Sequence, residues 1–337
     1  MTLNLINVKN SYTLLRSNKS TSDSRIASTD DMKQELENFK HFTKCPVCSS
    51  SALSPFKKGT FNFLNLNKDQ IKITDSDYGK TWDLSRCMYC THIFANPSPS
   101  PTFIHSLYSK IEDPLYQEEA RGRSKNFLRI ISFLEKIHPT KGVLFDVGAA
   151  TGILLSIALR RGWKPEGIEA SAWAVRIAQE KYNLKIHEGY FEKADLPQNY
   201  YTAVTMVDFI EHVPNPFEAV AKANEILAPE GTLCIVTPDV NSLAAKITRG
   251  KWWHFRPAHL GYFSSKSLAI LLQRAGFRIV KLRKYSWTFS ARYLISRKPW
   301  LNFLLKNPHL ASFWEKISIK LALCDSFEIY ARKESRK

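Results

Sequence analysis

Two pairs of cysteines, Cys45-Pro-Val-Cys48 and Cys87-Met-Tyr-Cys90, have a spacing that narrowly limits their chemistry. Each two-residue turn brings its sulfurs to one point, so four thiolates can close tetrahedrally on a zinc ion. Four protein ligands leave no position for water, and such a metal scaffolds rather than catalyses. A redox pair needs only one Cys-x-x-Cys and usually lies beside a βαβ unit, whereas both pairs precede the first such signal. Disulfides belong to an oxidising compartment, and the start, MTLNLINVKNSYTLL, lacks the charged lead and unbroken apolar core of a secretory signal. The expectation is a structural zinc in a cytoplasmic protein, with a short mitochondrial presequence as a weaker reading of the acid-free first 22 residues. Cys234, in an apolar strand, and Cys324, on an apolar stripe, read as ordinary buried thiols.

A second constellation follows the strand-like Val143-Leu-Phe-Asp-Val147, which runs into Gly148-Ala-Ala-Thr-Gly152 and then a helix. Glycines at such a turn let the backbone approach a ligand at the edge of a sheet. Glu169 ends the next strand, where its carboxylate can accept from both hydroxyls of a ribose. A dinucleotide would need Gly-x-Gly-x-x-Gly. Asp146, two residues before the first glycine, opposes a pyrophosphate but suits a cationic cofactor such as S-adenosylmethionine (SAM), which carries an amino group and a sulfonium.

With Ala150 at its middle position, this turn resembles the first motif of class I SAM-dependent methyltransferases. The likeness continues through Gly167-Ile-Glu169-Ala-Ser171, Asp208-Phe-Ile-Glu211-His212-Val213 and Leu227-Ala-Pro-Glu-Gly231, covering about residues 120–285. His259-Leu-Gly-Tyr262-Phe-Ser264 narrows it to a broad subgroup that includes ubiquinone-pathway and sugar methyltransferases. Cys87-x-x-Cys90-x-x-Ile-Phe94-x-Asn96-Pro97 resembles the zinc-binding leader of bacterial sugar and surface-polysaccharide methyltransferases.

The resemblance implies that Asp146, Gly148, Ala150 and Gly152 line the methionine part of SAM and that Glu169 holds the ribose. It also implies that Ala170 and the 190–192 loop, with Phe191 and Glu192, flank the adenine, and that Asp208 sits near the transferring methyl. A hydroxyl or carbon acceptor must also lose a proton, and histidine suits that task near neutral pH. The candidates are His259 and His212, with Tyr262 assisting. His259 is preferred as base, although a packed or substrate-orienting role stays open, and His212 reads as structural.

These residues need an alternating scaffold, and the pattern supplies one. Strand and helix signals alternate from Val143 to Thr237, which calls for an open parallel sheet covered by helices. The fold expected is α/β, a Rossmann-like seven-stranded methyltransferase sheet with its last strand antiparallel, an N-terminal zinc-ribbon-like module and a helical C-terminal insertion. The boundaries read as a tail over 1–30, the module over 31–101, the core over 102–285, the insertion over 286–326 and the last strand over 327–337. Within these, a helix is expected over 31–42, strands over 61–66 and 71–74, and no regular element over 96–101. A sixth strand is expected over Phe277–Tyr285 and an antiparallel seventh over Phe327–Arg332. The insertion is expected to carry a helix with Leu310, Phe313, Trp314, Ile317, Leu321 and Cys324 on one face.

Of 337 residues, 44% are hydrophobic and 12% aromatic, enough for a buried core and unlike collagen-like or low-complexity chains. The net charge of +17 is uneven: residues 1–242 hold 28 Lys/Arg against 27 Asp/Glu, and residues 243–337 hold 20 against 4. The basic block reads either as a surface for an anionic partner or as a solvated face. For 286–326 two roles stay open, a lid or dimerisation element and a contact with an anionic membrane surface. The acceptor expected is a small molecule or lipid-linked glycan methylated at O or C. An RNA methyltransferase is the runner-up, but the ribbon lacks a local excess of positive charge and no Asn-Pro-Pro-Tyr-type motif follows the fourth strand. A non-enzymatic zinc-ribbon interaction protein comes third.

Overall fold

The computed structural model describes residues 38–60, 66, 68–75 and 78–334; the tail over 1–30, the start of the helix expected over 31–42 and most of the strand expected over 61–66 lie outside them. Short antiparallel pieces come first. β1 (Phe39–Lys40) pairs with β5 (Ser98–Pro99), and β2 (Leu53–Lys57), β3 (Leu84–Cys87) and β4 (Ile93–Ala95) form a meander. Three helices follow, α1 (Pro101–Tyr108), α2 (Pro114–Glu118) and α3 (Ala120–Ile137). Ser100 caps α1 by accepting from Phe103 N, with Pro101 at the first helical position, where its missing N–H costs nothing.

The alternation then appears as β6 (Val143–Val147), α4 (Ile153–Arg160), β7 (Lys164–Glu169), α5 (Ala172–Tyr182), β8 (His187–Glu188), β9 (Tyr201–Val207), α6 (Pro216–Ile226) and β10 (Leu227–Pro238). Next come α7 (Leu243–Thr248), β11 (Gly261–Tyr262), α8 (Ser265–Arg274), β12 (Phe277–Ser290), α9 (Ala291–Ser296), α10 (Pro308–Lys316) and β13 (Ser318–Lys333). The main sheet has the order β12-β13-β10-β9-β6-β7-β8, with β13 antiparallel to both neighbours and the pairs from β10 to β8 parallel. Central strands β6 and β9 are almost wholly apolar because helices cover both faces. The chain runs outward from β6 through β7 to β8, then returns to β9 on the other side. That reversal opens a crevice at the carboxyl ends of β6 and β9.

β11 leaves the core and pairs with β4, completing a second sheet of order β11-β4-β3-β2. β3, which ends at Cys87, therefore shares a sheet with a strand that follows β10 in the chain.

Several expectations need correction. Residues 39–40 of the expected 31–42 helix are strand, because Phe39 pairs with Pro99, and that pairing also gives the proline-rich 96–101 stretch a short strand. Residues 71–74 are the end of a 3-10 turn and a following turn, tied by Thr74 to Asp113, so they form no strand. The last hairpin is longer than expected: β12 runs on to Ser290 and β13 starts at Ser318, with Trp287 opposite Leu321. The helix expected through Cys324 consequently stops at Lys316, since Ile319, Leu321 and Leu323 also satisfy the two-residue period of a strand. Cys324 is exposed, whereas Cys234 is buried as expected.

Candidate active site

The crevice is a cleft with about 1010 Å³ of open space, lined on the sheet side by Gly148, Ala150, Glu169, Ala170, Phe191 and Asp208. Gly148 takes φ of +71°, and a Cβ there would come within 3.0 Å of the Phe209 ring, so only glycine keeps this edge open. Glu169 accepts from Ala150 N and Ser171 N, each at 2.9 Å, one bond on each oxygen. Both oxygens keep a lone pair for a further donor. Burial raises the Glu169 and Glu192 carboxyls above their ordinary range. Tyr190 and Glu192 also line the cleft, and the Tyr190 ring stacks on His105 with centroids 3.4 Å apart. Its hydroxyl donates to His105 O at 2.6 Å, which fastens α1 over this end.

Asp146 and Gly152 lie behind this lining. Asp146 is buried at the end of β6 and accepts from Thr205 Oγ1 at 2.6 Å; burial pushes its carboxyl up to about 7. Gly152 opens α4 at φ +75°, and a Cβ would meet Leu184 at 2.9 Å and Ala178 at 3.0 Å, so it serves close packing of helices.

At the other end stand Asp208 and His212. Asp208 sits at the end of β9 in a left-handed conformation, φ +49°. Burial, opposed by His254, Arg123 and Arg256, lifts its carboxyl to about 6. His212 Nδ1 lies 2.8 Å from the Tyr108 hydroxyl and 2.9 Å from Ala258 O. A carbonyl can only accept, so this geometry assigns the proton to Nδ1 and leaves the lone pair on Nε2. Burial and Arg256 push His212 down to about 3, which keeps it neutral at physiological pH.

His259 and Tyr262 are not part of the cleft wall. His259 is buried edge-to-face against His212, centroids 4.8 Å apart, and burial holds it well below its ordinary value. Tyr262 lies in β11 and donates to His259 O at 3.3 Å. Glu211 accepts from Thr237 at 2.9 Å and holds Leu260 N through its own carbonyl at 2.8 Å, fixing the His259 loop behind His212.

Sequence reasoning missed the wall contributed by the N-terminal segment: Ile71, Ile104, Tyr108, Ile111 and Tyr116. Ile104, Tyr108 and Tyr116 lie on short helices and Ile71 and Ile111 in a turn and a loop, where apolar residues are ordinary, and only the docking of this segment onto the sheet edge gives them a role. Thr151 Oγ1 donates to Gln117 at 2.6 Å and Ser171 Oγ to Ile111 O at 2.7 Å, tying that segment to the motif turns.

The four cysteines converge away from this cleft. Cys45 and Cys90 sulfurs are 3.6 Å apart, Cys48 and Cys87 3.5 Å, and all four lie within 4.8 Å of one another. These separations far exceed an S–S bond of about 2.05 Å. They fit the edges of a tetrahedron with zinc–sulfur bonds of about 2.3 Å. Both knuckles fold alike: Ser49 N donates to Cys45 O at 2.9 Å and Thr91 N to Cys87 O at 3.0 Å, each from a left-handed residue.

The sheet order, with β13 antiparallel and a carboxylate-lined crevice at its switch point, defines an open α/β sheet with a candidate ligand cleft. Residues 116–282 match the family described as a methyltransferase domain. Curated relatives include the ubiquinone biosynthesis O-methyltransferase of Alkalilimnicola ehrlichii, 30% identical over 104 residues, which are 29% of this chain and 42% of that one. The protein of the same name from Haemophilus ducreyi is 28% identical over 28% of this chain and 44% of its own. The chain thus spans less than half the length of these relatives. Among solved structures, a SAM-dependent methyltransferase from Archaeoglobus fulgidus is 18% identical, covering 61% of this chain and 94% of that one at a TM-score of 0.43. A SAM-dependent methyltransferase from Thermotoga maritima is 21% identical, covering 58% and 82%, at a TM-score of 0.38.

Proposed function

We propose that the protein is a SAM-dependent methyltransferase acting on oxygen or carbon of a small-molecule acceptor. The observation that carries this reading is one cleft that brings together Gly148, Ala150, Glu169, Asp208 and His212, with Glu169 at the tip of β7 and Asp208 just after β9. A carboxylate-lined, otherwise apolar cavity suits a cationic amphiphile with a ribose. SAM supplies an electrophilic methyl on its sulfonium. The chain's part is to align the acceptor within near-attack distance and exclude water.

Glu169 would hold the ribose hydroxyls with its free lone pairs, and Tyr190, Phe191 and Ala170 would enclose the adenine. Asp208 would orient the acceptor, and the proton it loses would pass to His212 Nε2. Tyr108 and His259 would hold that imidazole in place. O-methylation of small molecules is what the names of the two curated relatives describe. A sugar or lipid-linked glycan is the finer assignment, suggested by the likeness of the cysteine module to sugar-pathway leaders.

Transfer of labelled methyl from SAM into fractionated small molecules, glycans, lipids and RNA tests the reading. Label in a small-molecule or glycan fraction, lost in His212→Ala, supports it; label in RNA alone contradicts it. The cysteine quartet we read as a zinc scaffold. Metal analysis of purified protein should give one zinc per chain, and Cys87→Ser should lose it and unfold several degrees lower.

A further inference from the structure

Between residues 243 and 324 the chain carries sixteen Lys/Arg and a single acid, Glu315. Apart from Arg256, the methyl-transfer reading uses none of these cations. Part of it closes the molecule: Arg297 donates to Thr74 O at 2.6 Å and Asp75 O at 2.9 Å, and Arg292 holds Glu118 at 3.0 Å and Glu315 at 3.4 Å. The inner side of the cap formed by α9, the 3-10 turn over 299–305 and α10 is thereby fastened to the N-terminal segment.

Its outer side is different. Trp300 is 73% exposed and Phe303 60%, three residues apart on a 3-10 turn and so on one face. Leu310, 45% exposed, and Phe313, 52%, share a face of α10 in the same way. Lys298, Lys306, Lys316 and Lys320 are exposed among these side chains in sequence. Paired apolar side chains facing solvent on successive elements mark an interaction surface rather than scattered surface residues. The surrounding charge selects an anionic partner. No helix among the described residues is long and apolar enough to cross a membrane.

We propose that this outer face rests on an anionic phospholipid surface, with Trp300, Phe303, Leu310 and Phe313 at the headgroup boundary and the lysines against the lipid charge. The full chain should co-sediment with vesicles of three parts phosphatidylcholine to one part phosphatidylglycerol, bind phosphatidylcholine alone far less, and be released by high salt. Trp300→Ser/Phe303→Ser should lower the partition coefficient about 10-fold or more. Lys298→Gln/Lys306→Gln/Lys316→Gln should do the same and flatten the salt dependence. Both variants should keep wild-type thermal unfolding. Failure to sediment with either vesicle, or equal partitioning of the Trp300/Phe303 variant, overturns the proposal. So does a wild-type dimer in sedimentation velocity that this variant dissolves without vesicle binding, which assigns the face to a second copy. Salt-sensitive retention of RNA on filters without vesicle binding overturns it in favour of nucleic acid.

Discussion

The two ends of the cleft are built differently. The end lined by Ala150 and Glu169 comes from consecutive turns at the tips of β6 and β7, held by hydrogen bonds such as those from Ala150 N and Ser171 N to Glu169. The end at Asp208 and His212 is assembled from segments far apart in sequence: Tyr108 from α1, Ala258 from the loop before β11, and Arg256, which reaches back to Lys72 O and Ile73 O. In the proposed reading a local motif on a rigid sheet holds the cofactor, whereas the acceptor end depends on the docking of segments distant in sequence.

If this division is right, substitutions at one end should leave the other untouched. The largest effect is expected from His212→Ala, which should lower turnover about 10²–10⁴-fold while SAM affinity changes little; single-turnover kinetics beside calorimetry checks both. His259→Ala should cost less, because its ring lies behind His212. A full loss of turnover in His259→Ala with an active His212→Ala would exchange their roles.

The next effect is on pH dependence. Asp208 and Asp146 are raised to about 6 and about 7, and a cationic cofactor favours their ionised forms. SAM affinity should therefore rise between about pH 5 and pH 8, by up to about tenfold per unit where one carboxylate titrates. Stability of the unliganded protein should respond in the opposite sense. Carboxyls raised in the folded state take up protons more readily than in the unfolded chain, so their contribution to stability falls as pH rises from about 4 through 7. Thr205→Val, which removes the donor that lowers Asp146, should move the affinity profile to higher pH. Neither buried histidine should add an inflection near 6.5, since both are held below that value.

The smallest effect is expected of Tyr108→Phe. It removes one of the two acceptors of the His212 Nδ1 proton while Ala258 O keeps the other, so turnover should drop about 3–10-fold with SAM affinity unchanged. An equal loss of SAM affinity would show that α1 serves the cofactor end as well.

The same division explains what the sequence disclosed. The cysteine quartet, the turn after β6, Glu169 and the order of alternating elements follow from spacings of a few residues, where local chemistry and backbone geometry are coupled. Tyr108, Tyr116 and Ile71 were not legible because their role arises from contacts dozens of residues away. Ile319, Leu321 and Leu323 satisfy a strand period as well as part of a helical stripe, and only pairing with β12 decides between them. In the sequence, the loop position of His259 suits either a base or a packed, orienting side chain; in the structure it is outside the cleft lining, and the hydrogen bond from Leu260 N to Glu211 O ties its loop to the residue before His212.

Calorimetric titration of SAM into the full-length wild type and Glu169→Ala tests the central claim most directly. The account predicts one site per chain in the wild type and binding weakened about 10–100-fold in the variant, as expected for losing charge-assisted hydrogen bonds. No heat of binding in the wild type, or equal affinity in the two proteins, would contradict it.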